Sequence, residues 1–229
     1  MTLTREQTKT FYDRFGRKQD TQAFYEDAAL DVLVDHAAFE DAQSLFELGC
    51  GTGRFAARLL QDHLPASATY LGSDLSTTMI DIAGQRLAPF AERAKVMQSD
   101  GSMHFPLADH SVDRVISTYV LDLLPESDIR LALAEAHRVL TPNGKLCVMS
   151  LTHGETVPSK LLSGIWSKLF RLRPQWVGGC RPIRLAPFFG RHDWTIEYRT
   201  VISQFGVPSE VLIASPVGDG ISYPDEEHA

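Results

Sequence analysis

The sequence has little of what marks a metal-binding, disulfide-linked or membrane-spanning protein. Its 229 residues include only three cysteines, Cys50, Cys147 and Cys180. They are scattered and odd in number, so they form neither a metal-ligand spacing nor a disulfide framework. No run of about 18 apolar residues is present, which argues against a transmembrane helix. The N-terminus lacks the apolar core of a secretory signal, so we expect a cytoplasmic location and no bound metal.

Positive charge is also scarce. Lysine and arginine total 22 against 29 aspartate and glutamate residues, which gives a formal net charge of −7. Proteins that bind nucleic acid displace counterions with an excess of lysine and arginine. The charge balance therefore predicts that nucleic acid is not a partner. One local basic patch remains a candidate, formed by Arg171, Arg173, Arg181 and Arg184.

What the chain does have is a regular alternation of strand and helix patterns. Short apolar runs predict strands at 44–48, 68–74, 94–100, 112–121 and 144–151, and amphipathic segments predict helices at 54–64, 76–87 and 126–140. This alternation with short connections indicates a parallel sheet with helices on both faces. Two later runs, 194–203 and 208–215, indicate an antiparallel hairpin that closes the sheet. The prediction is an α/β, Rossmann-like, doubly wound fold with a mostly parallel seven-stranded sheet.

The flanking segments have other patterns. Residues 1–40 are predicted to be helical, and the pattern becomes irregular over residues 152–192. The polar tail "GDGISYPDEEHA" is expected to fray. We therefore expect one domain over residues 1–229, with a core at 44–151 and a closing hairpin at 193–216.

Three glycines stand directly after the first predicted strand, in "FELGCGTGRF" (46–55). In a doubly wound sheet, ligands bind outside the carboxyl ends of the strands, where the strand order reverses. Glycine lets the backbone turn sharply and come close to a ligand. Gly49, Gly51 and Gly53 therefore predict a cradle for a small molecule, and the alternative is a glycine-rich turn without a ligand.

The common nucleotide fingerprints do not fit this loop. The nicotinamide pattern G-x-G-x-x-G matches at Gly49 and Gly51, but its third position is Arg54. The phosphate-loop pattern G-x-x-x-x-G-K-[ST] is absent from the sequence. The loop spacing is therefore not specific for phosphate, and a nicotinamide-dependent oxidoreductase is disfavoured.

Four motifs in order resemble those of the class I S-adenosylmethionine-dependent methyltransferases. They are "LFELGCGTGRF", "YLGSDLSTTMID", "QSDGSMHFPLADHSVDRVIST" and "HRVLTPNGKLCVMSL". The resemblance runs from about residue 44 to residue 151 and is closest to the small-molecule branch that includes the ubiquinone and menaquinone methyltransferases. It implies S-adenosylmethionine as the cofactor. A binder of this cofactor that does not catalyse methyl transfer is the alternative.

The resemblance also implies roles for residues at the strand ends. Asp74 would accept hydrogen bonds from both ribose hydroxyls, and Asp100 with Gly101 would meet the adenine edge. A surface turn is the alternative for Asp100, and we interpret Asp113 as structural because it precedes the fourth strand, at the end of the sheet away from ligands. The full set of cofactor-binding candidates is Tyr12, Arg14, Glu47, Gly49, Cys50, Gly51, Gly53, Asp74, Leu75, Met79, Asp100, Gly101, Ser117 and Tyr119.

Several of these candidates have an open alternative. Leu75 and Met79 would offer apolar contact, but Met79 is as well suited to the core. Glu47 would either order the glycine loop or approach the methionine amino group. The resemblance makes residues 1–40 a helical lid in which Arg14 would pair with the methionine carboxylate, unless this segment is an ordinary surface helix.

Methyl transfer is an in-line displacement, for which alignment is the main requirement. A general base is needed only where the acceptor must first lose a proton. His153, just beyond the fifth predicted strand, is our candidate for that base. Residues 152–192 would shape the acceptor pocket on the ligand side of the sheet. Aromatic residues beside Arg181 and Arg184 favour a small apolar or aromatic acceptor with an anionic group, and solvated arginines on a helical cap are the alternative.

Overall fold

A seven-stranded sheet forms the centre of the molecule. The structure is a computed structural model and describes residues 2–218. The strands are β1 (Ser44–Leu48), β2 (Thr69–Asp74), β3 (Ala94–Gln98), β4 (Val112–Thr118), β5 (Leu140–Leu151), β6 (Trp194–Gln204) and β7 (Val207–Pro216). Their order is β3-β2-β1-β4-β5-β7-β6, and only β7 and β6 run antiparallel to their neighbours. This architecture confirms the predicted fold class.

Helices cover both faces of the sheet. They are α1 (Arg5–Phe15), α2 (Ala23–Ala37), α3 (Arg54–Asp62), α4 (Thr77–Leu87), α5 (Glu126–Val139) and α6 (Val157–Leu172). Leu33 of α2 and Leu59 of α3 are fully buried in the core on one face, whereas Ile129 of α5 is buried in the core on the other. Neighbouring residues of β1 alternate between the two cores, with Leu45 in the first and Phe46 in the second, as the two-residue period of a strand requires.

The strand order reverses between β1 and β4, which both pair with parallel partners and end at the same edge of the sheet. A crevice at this reversal is the usual ligand site of a doubly wound sheet. Asp113 lies at the opposite edge, where its carboxylate accepts hydrogen bonds from the main-chain N–H of Gln43 at 2.9 Å and of Ser44 at 3.1 Å. Its contacts agree with the structural role predicted for it.

The segment 152–192 is more regular than predicted, because it contains the 16-residue helix α6. Thr156 begins this helix with a capping box that involves Ser159. Part of the apolar pattern of α6 is inverted, because Val157 and Leu161 are exposed while Ser159 and Ser163 are buried, although Phe170 near its end is buried as well. A search for a buried apolar stripe therefore fails to find it.

Two sequence expectations remain, namely a frayed polar tail and the lack of a transmembrane helix. Residues 219–229, which hold nearly all of the polar tail, lie outside the described residues. Within residues 2–218, no helix has the length and apolar character needed to cross a membrane.

Candidate functional site

The glycine-rich loop joins β1 to α3 at the edge where the strand order reverses. Gly49, Gly51 and Gly53 all have positive φ angles, of 75°, 53° and 70°. The main-chain N–H groups of Gly49 and Cys50 donate to the carbonyl of Ser73 at 2.8 and 2.9 Å. These two hydrogen bonds hold the glycine-rich loop beside the end of β2.

Each glycine faces a neighbouring side chain of the protein. A Cβ on Gly49 would lie 2.2 Å from Val120 Cγ2, and a Cβ on Gly53 would lie 3.1 Å from Ala83 Cβ on α4. Gly53 therefore lets α3 approach α4. Gly49 lines both cavities described below, and its exposure of bare main chain to a ligand stays a prediction.

Gly51 is covered by the N-terminal segment. A Cβ at this position would lie 2.7 Å from Oε1 of Gln19, which belongs to the 3₁₀ segment Gly16–Gln22. That oxygen is buried and accepts no hydrogen bond from any residue in the range 2–218. Gln19 thus has an unused acceptor directly above the glycine loop.

A cavity of about 280 Å³ opens beside this loop, between the ends of β2 and β4 and the start of the chain. Asp74 and Leu75 line it from β2, and Gly101 and Met103 line it from the segment after β3. A side chain at position 101 would crowd the cavity, since a Cβ there would lie 3.0 Å from Arg5 Cδ and 3.2 Å from Leu75 Cδ1. The remaining wall is made by N-terminal residues and by the start of α5, including Leu3, Arg5, Thr8, Leu124 and Asp128.

The carboxylate of Asp74 is held in place by the backbone. Its Oδ2 accepts from the N–H of Gly51 at 3.0 Å, and its Oδ1 accepts from the N–H of Ser76 at 2.8 Å. Burial raises the pKa of Asp74 and outweighs the lowering effect of these hydrogen bonds. Each carboxylate oxygen has a further lone pair, so the side chain can still accept hydrogen bonds from a ligand in the cavity.

Other predicted cofactor residues lie away from this cavity. Asp100 is exposed, accepts from the N–H of Ser102 at 2.7 Å, and lines a separate cavity of about 330 Å³ that shares Ser99 with the first. Hydrogen bonds to Ser102 lower the pKa of Asp100. Met79 is fully buried in the interior and lines neither the 280 Å³ cavity nor the chamber described next.

Arg14 and Ser117 also lie outside the 280 Å³ cavity and outside the smaller chamber described next. Arg14 is exposed on the outer side of α1, beside Phe11 and Lys18. It follows Tyr12 by two residues, so the two side chains point about 200° apart on the helix and cannot face the same cavity. Ser117 lies within β4 and is buried.

A second, smaller space lies deeper under the N-terminal segment, and we call it the inner chamber. Its volume is about 60 Å³, and it shares Tyr12, Gln19, Gly49, Thr118 and Tyr119 with the larger cavity. The two spaces therefore adjoin at the glycine loop and the end of β4. The chamber is also lined by Asp20, Tyr25, Glu26, Glu47, Cys50, Arg54, Asp122, Trp166 and Cys180.

Acidic side chains dominate the inner chamber. Burial raises the pKa of Glu26, Glu47 and Asp122 to about 7 each. Glu47 accepts a hydrogen bond from the hydroxyl of Tyr70 at 2.5 Å. Glu26 pairs with Arg54 at 3.0 Å, the one basic side chain among residues 2–218 that lines the chamber. These acids and this arginine make the chamber a net negative site.

Aromatic rings form much of the remaining wall. The rings of Tyr25 and Tyr119 meet edge to face with centroids 5.8 Å apart. Tyr119 has a positive φ of 55°, a conformation that costs about 1 kcal/mol or more for a residue with a side chain. Its hydroxyl lies 2.6 Å from Ser209 Oγ on β7, which fixes the ring. Burial raises the pKa of Tyr12, Tyr25 and Tyr119, so all three rings are neutral.

The candidate base and the arginines of segment 152–192 are elsewhere. His153 is exposed and lines neither space, and burial with the charge of Arg184 lowers its pKa. Arg184 and Trp176 are exposed, and Phe189 packs in the core beside α5. These positions give no support to an anionic acceptor held by these arginines.

Asp122 and Gln19 are functional candidates that the sequence did not reveal. Asp122 stands in an apolar run, "YVLDLL", just after the fourth strand. An acid in such a run at the ligand edge is a signal that sequence reasoning could have used. Gln19 carries no comparable signal, because its position over Gly51 depends on the path of the N-terminal segment.

Comparisons with known proteins agree with this architecture. Residues 45–144 match the family model of a methyltransferase domain. The demethylmenaquinone methyltransferase of Chlamydia pneumoniae is 39% identical over 109 residues, which cover 48% of this chain and 44% of that protein. The chain spans about half the length of the first curated relatives it matches.

Solved structures share the fold at low identity. The (4+2)-cyclase SpnF has a TM-score of 0.64 and 18% identity, covering 84% of this chain and 82% of that one. Geranyl diphosphate C-methyltransferase from Streptomyces coelicolor A3(2), solved with Mg²⁺, geranyl diphosphate and S-adenosyl-L-homocysteine, has a TM-score of 0.62 and 14% identity, covering 84% and 79%. The domain match, the relative and the fold together confirm the resemblance seen in the four motifs. Residues 45–144 are thus similar to a methyltransferase domain, and this region resembles the class I S-adenosylmethionine-dependent methyltransferases.

Proposed function

We propose that this chain transfers a methyl group from S-adenosylmethionine to a small-molecule acceptor. The observation that carries the proposal is the adjoining pair of spaces at the strand reversal, one lined by Asp74 and Gly101 and the other by acids and aromatic rings. A donor and an acceptor need two such compartments that meet at one point. Here they meet at Gly49, Thr118 and Tyr119.

The larger cavity fits the adenosyl part of the cofactor. Asp74 would accept hydrogen bonds from the ribose hydroxyls, with its carboxylate already oriented by the N–H groups of Gly51 and Ser76. Leu75 and Met103 line this cavity and offer apolar contact to the base. A side chain at position 101 would fill the space against Leu75. The cofactor supplies an electrophilic methyl group on a sulfonium.

The inner chamber suits the acceptor. Its volume is about 60 Å³, which favours a small group over a polymer. Trp166 and three tyrosines provide apolar contact area. The expected apolar or aromatic character of the acceptor is consistent with these walls, although its expected negative charge is not. The chain's contribution to the reaction is then to hold two groups in line and to exclude water.

Calorimetric titration with S-adenosylhomocysteine tests the cofactor site. We expect Asp74→Ala to weaken binding by roughly 1.5–3 kcal/mol, about 10- to 150-fold, because it removes charge-assisted hydrogen bonds. Asp81→Ala is the matched control, since Asp81 is an exposed acid on α4. An equal affinity for the Asp74→Ala variant and the wild type would refute this assignment. Absence of any binding to the wild type would refute the proposed function itself.

A further inference from the structure

Asp122 is unlike the other acids of the inner chamber. It lies in the 3₁₀ turn Leu121–Leu123, directly after β4, and is fully buried. No donor among residues 2–218 lies in hydrogen-bonding geometry with either oxygen of its carboxylate, although the backbone N–H groups of Asp122 and Leu151 lie near enough to lower its pKa. By contrast, Glu47 is bonded to Tyr70 and Glu26 to Arg54. Asp122 is therefore the chamber acid whose two oxygens are both left for a guest molecule.

The nearest positive charge leaves this carboxylate free. Nη1 of Arg181 donates to the main-chain carbonyl of Asp122 at 3.1 Å, and the main-chain N–H of Arg181 donates to the same carbonyl at 3.2 Å. These bonds fix the backbone of the turn. They stabilise negative charge at Asp122 without occupying the carboxylate oxygens. A buried carboxyl group with no partner is costly in free energy, so its position calls for a functional reason.

The surroundings of Asp122 favour a cationic guest. Tyr12, Tyr25, Tyr119 and Trp166 line the same chamber. Aromatic faces attract a cation by about 0.5–2 kcal/mol, more when it is desolvated. Glu26 and Glu47 add negative charge, and the arginine of the chamber is already paired. An acid surrounded by aromatic rings is a typical environment for an ammonium group.

We propose that Asp122 is the proton acceptor for a small amine that the chain methylates; this inference rests on the proposed function. The ammonium form of the amine binds in the inner chamber and gives one proton to the Asp122 carboxylate. The nitrogen is left with a lone pair, which forms the N–C bond to the methyl group. The C–S bond breaks as the electron pair stays on sulfur, so a sulfonium becomes a thioether and the product is a methylated ammonium. Asp122 returns its proton to solvent when the product leaves.

An analogue with an amine at the transfer point tests this role without a known acceptor. Sinefungin resembles S-adenosylhomocysteine but carries an amine-bearing carbon in place of sulfur. If Asp122 faces the transfer point, its carboxylate receives that amine. We expect the wild type to bind sinefungin about tenfold more tightly than S-adenosylhomocysteine near neutral pH, as one charge-assisted hydrogen bond provides.

Asp122→Asn should abolish this preference and leave the affinity for S-adenosylhomocysteine within about twofold of wild type. Glu126→Gln is the matched control, because Glu126 is an exposed acid that lines neither space. It should keep the preference for sinefungin. Asp122→Ser, a second and smaller variant, should behave like Asp122→Asn, so the test does not depend on one substitution folding well.

The outcomes separate the two proposals. A preference for sinefungin that survives in both Asp122 variants overturns the role of Asp122. A loss of S-adenosylhomocysteine binding in both, with unchanged circular dichroism, also overturns it, because Asp122 would then hold the cofactor. A wild type that binds neither compound refutes the proposed function. Loss of the preference alone, with the S-adenosylhomocysteine affinity kept, supports Asp122 as the proton acceptor.

Discussion

The Asp122→Asn substitution should change how the stability of the protein depends on pH. Burial raises the pKa of Asp122 from 3.8 to about 7 in the folded protein. The folded state therefore binds a proton that the unfolded state has released, over the range between these two values. The stabilising effect of that proton is fully present below pH 3.8 and is lost as the pH rises through about 7. Asparagine cannot ionise, so the variant lacks this dependence.

The magnitude follows from the same pKa. Between about pH 5.5 and the folded pKa near 7, each pH unit lowers the wild-type free energy of unfolding by about 1.4 kcal/mol, or about 2 kcal/mol in total. Above the folded pKa, Asp122 adds no further change.

Urea unfolding followed by tryptophan fluorescence at about pH 5.5 and 8.5 should show the variant gaining about 2 kcal/mol relative to wild type. Glu26 and Glu47 titrate in the same range, and the difference between the two proteins removes their contribution apart from the charge coupling between Glu26 and Asp122. A difference that stays constant with pH would refute the reasoning, and Asp81→Asn, at an exposed site, should give that constant result.

Two further substitutions separate stability from ligand binding. Gly53→Ala should cost about 1–2 kcal/mol in urea unfolding, because φ is positive and a Cβ would crowd Ala83, while S-adenosylhomocysteine affinity stays within about twofold. A tenfold loss of affinity with unchanged stability would mean that Gly53 faces the ligand after all. Asp113→Ala should cost about 1–3 kcal/mol by leaving the N–H groups of Gln43 and Ser44 without their acceptor, and it too should bind S-adenosylhomocysteine normally. Equal urea midpoints for this variant and wild type would show that water replaces the carboxylate.

Much of the fold was predictable because the strand signals are local. The first strand was predicted at 44–48 and is found at Ser44–Leu48, since a short apolar run that follows a polar segment and stops at Gly49 leaves little choice of ends. Ser76 caps α4 as expected, accepting from the N–H of Met79 at 3.1 Å. Helix α6 was missed because it buries serines and exposes apolar residues, the reverse of the pattern that indicates a helix.

The candidate site was only partly predictable. Asp74 was identified because its position at the end of a parallel strand already implies a place at the ligand edge. Arg14 lies on the exposed side of α1, and the sequence does not show which side of that helix faces the cavities. The division of the chain into lid, core, insert and hairpin stays a prediction, as do the roles of the individual cofactor residues.

The sign of the charge at the acceptor side depends on tertiary structure alone. In the sequence, aromatic residues stand beside Arg181 and Arg184, which suggests an anion. In the fold, Arg184 points to solvent and Arg181 bonds a main-chain carbonyl. The acids of the inner chamber come instead from the 3₁₀ segment Gly16–Gln22, α2, β1 and the turn after β4, parts of which are far apart in the chain. Neighbours in the sequence cannot report such a convergence. An acidic chamber between a cofactor cavity and a covering N-terminal segment therefore favours a cation as the acceptor, and Asp122, with both oxygens left free, is the residue through which that preference can be tested.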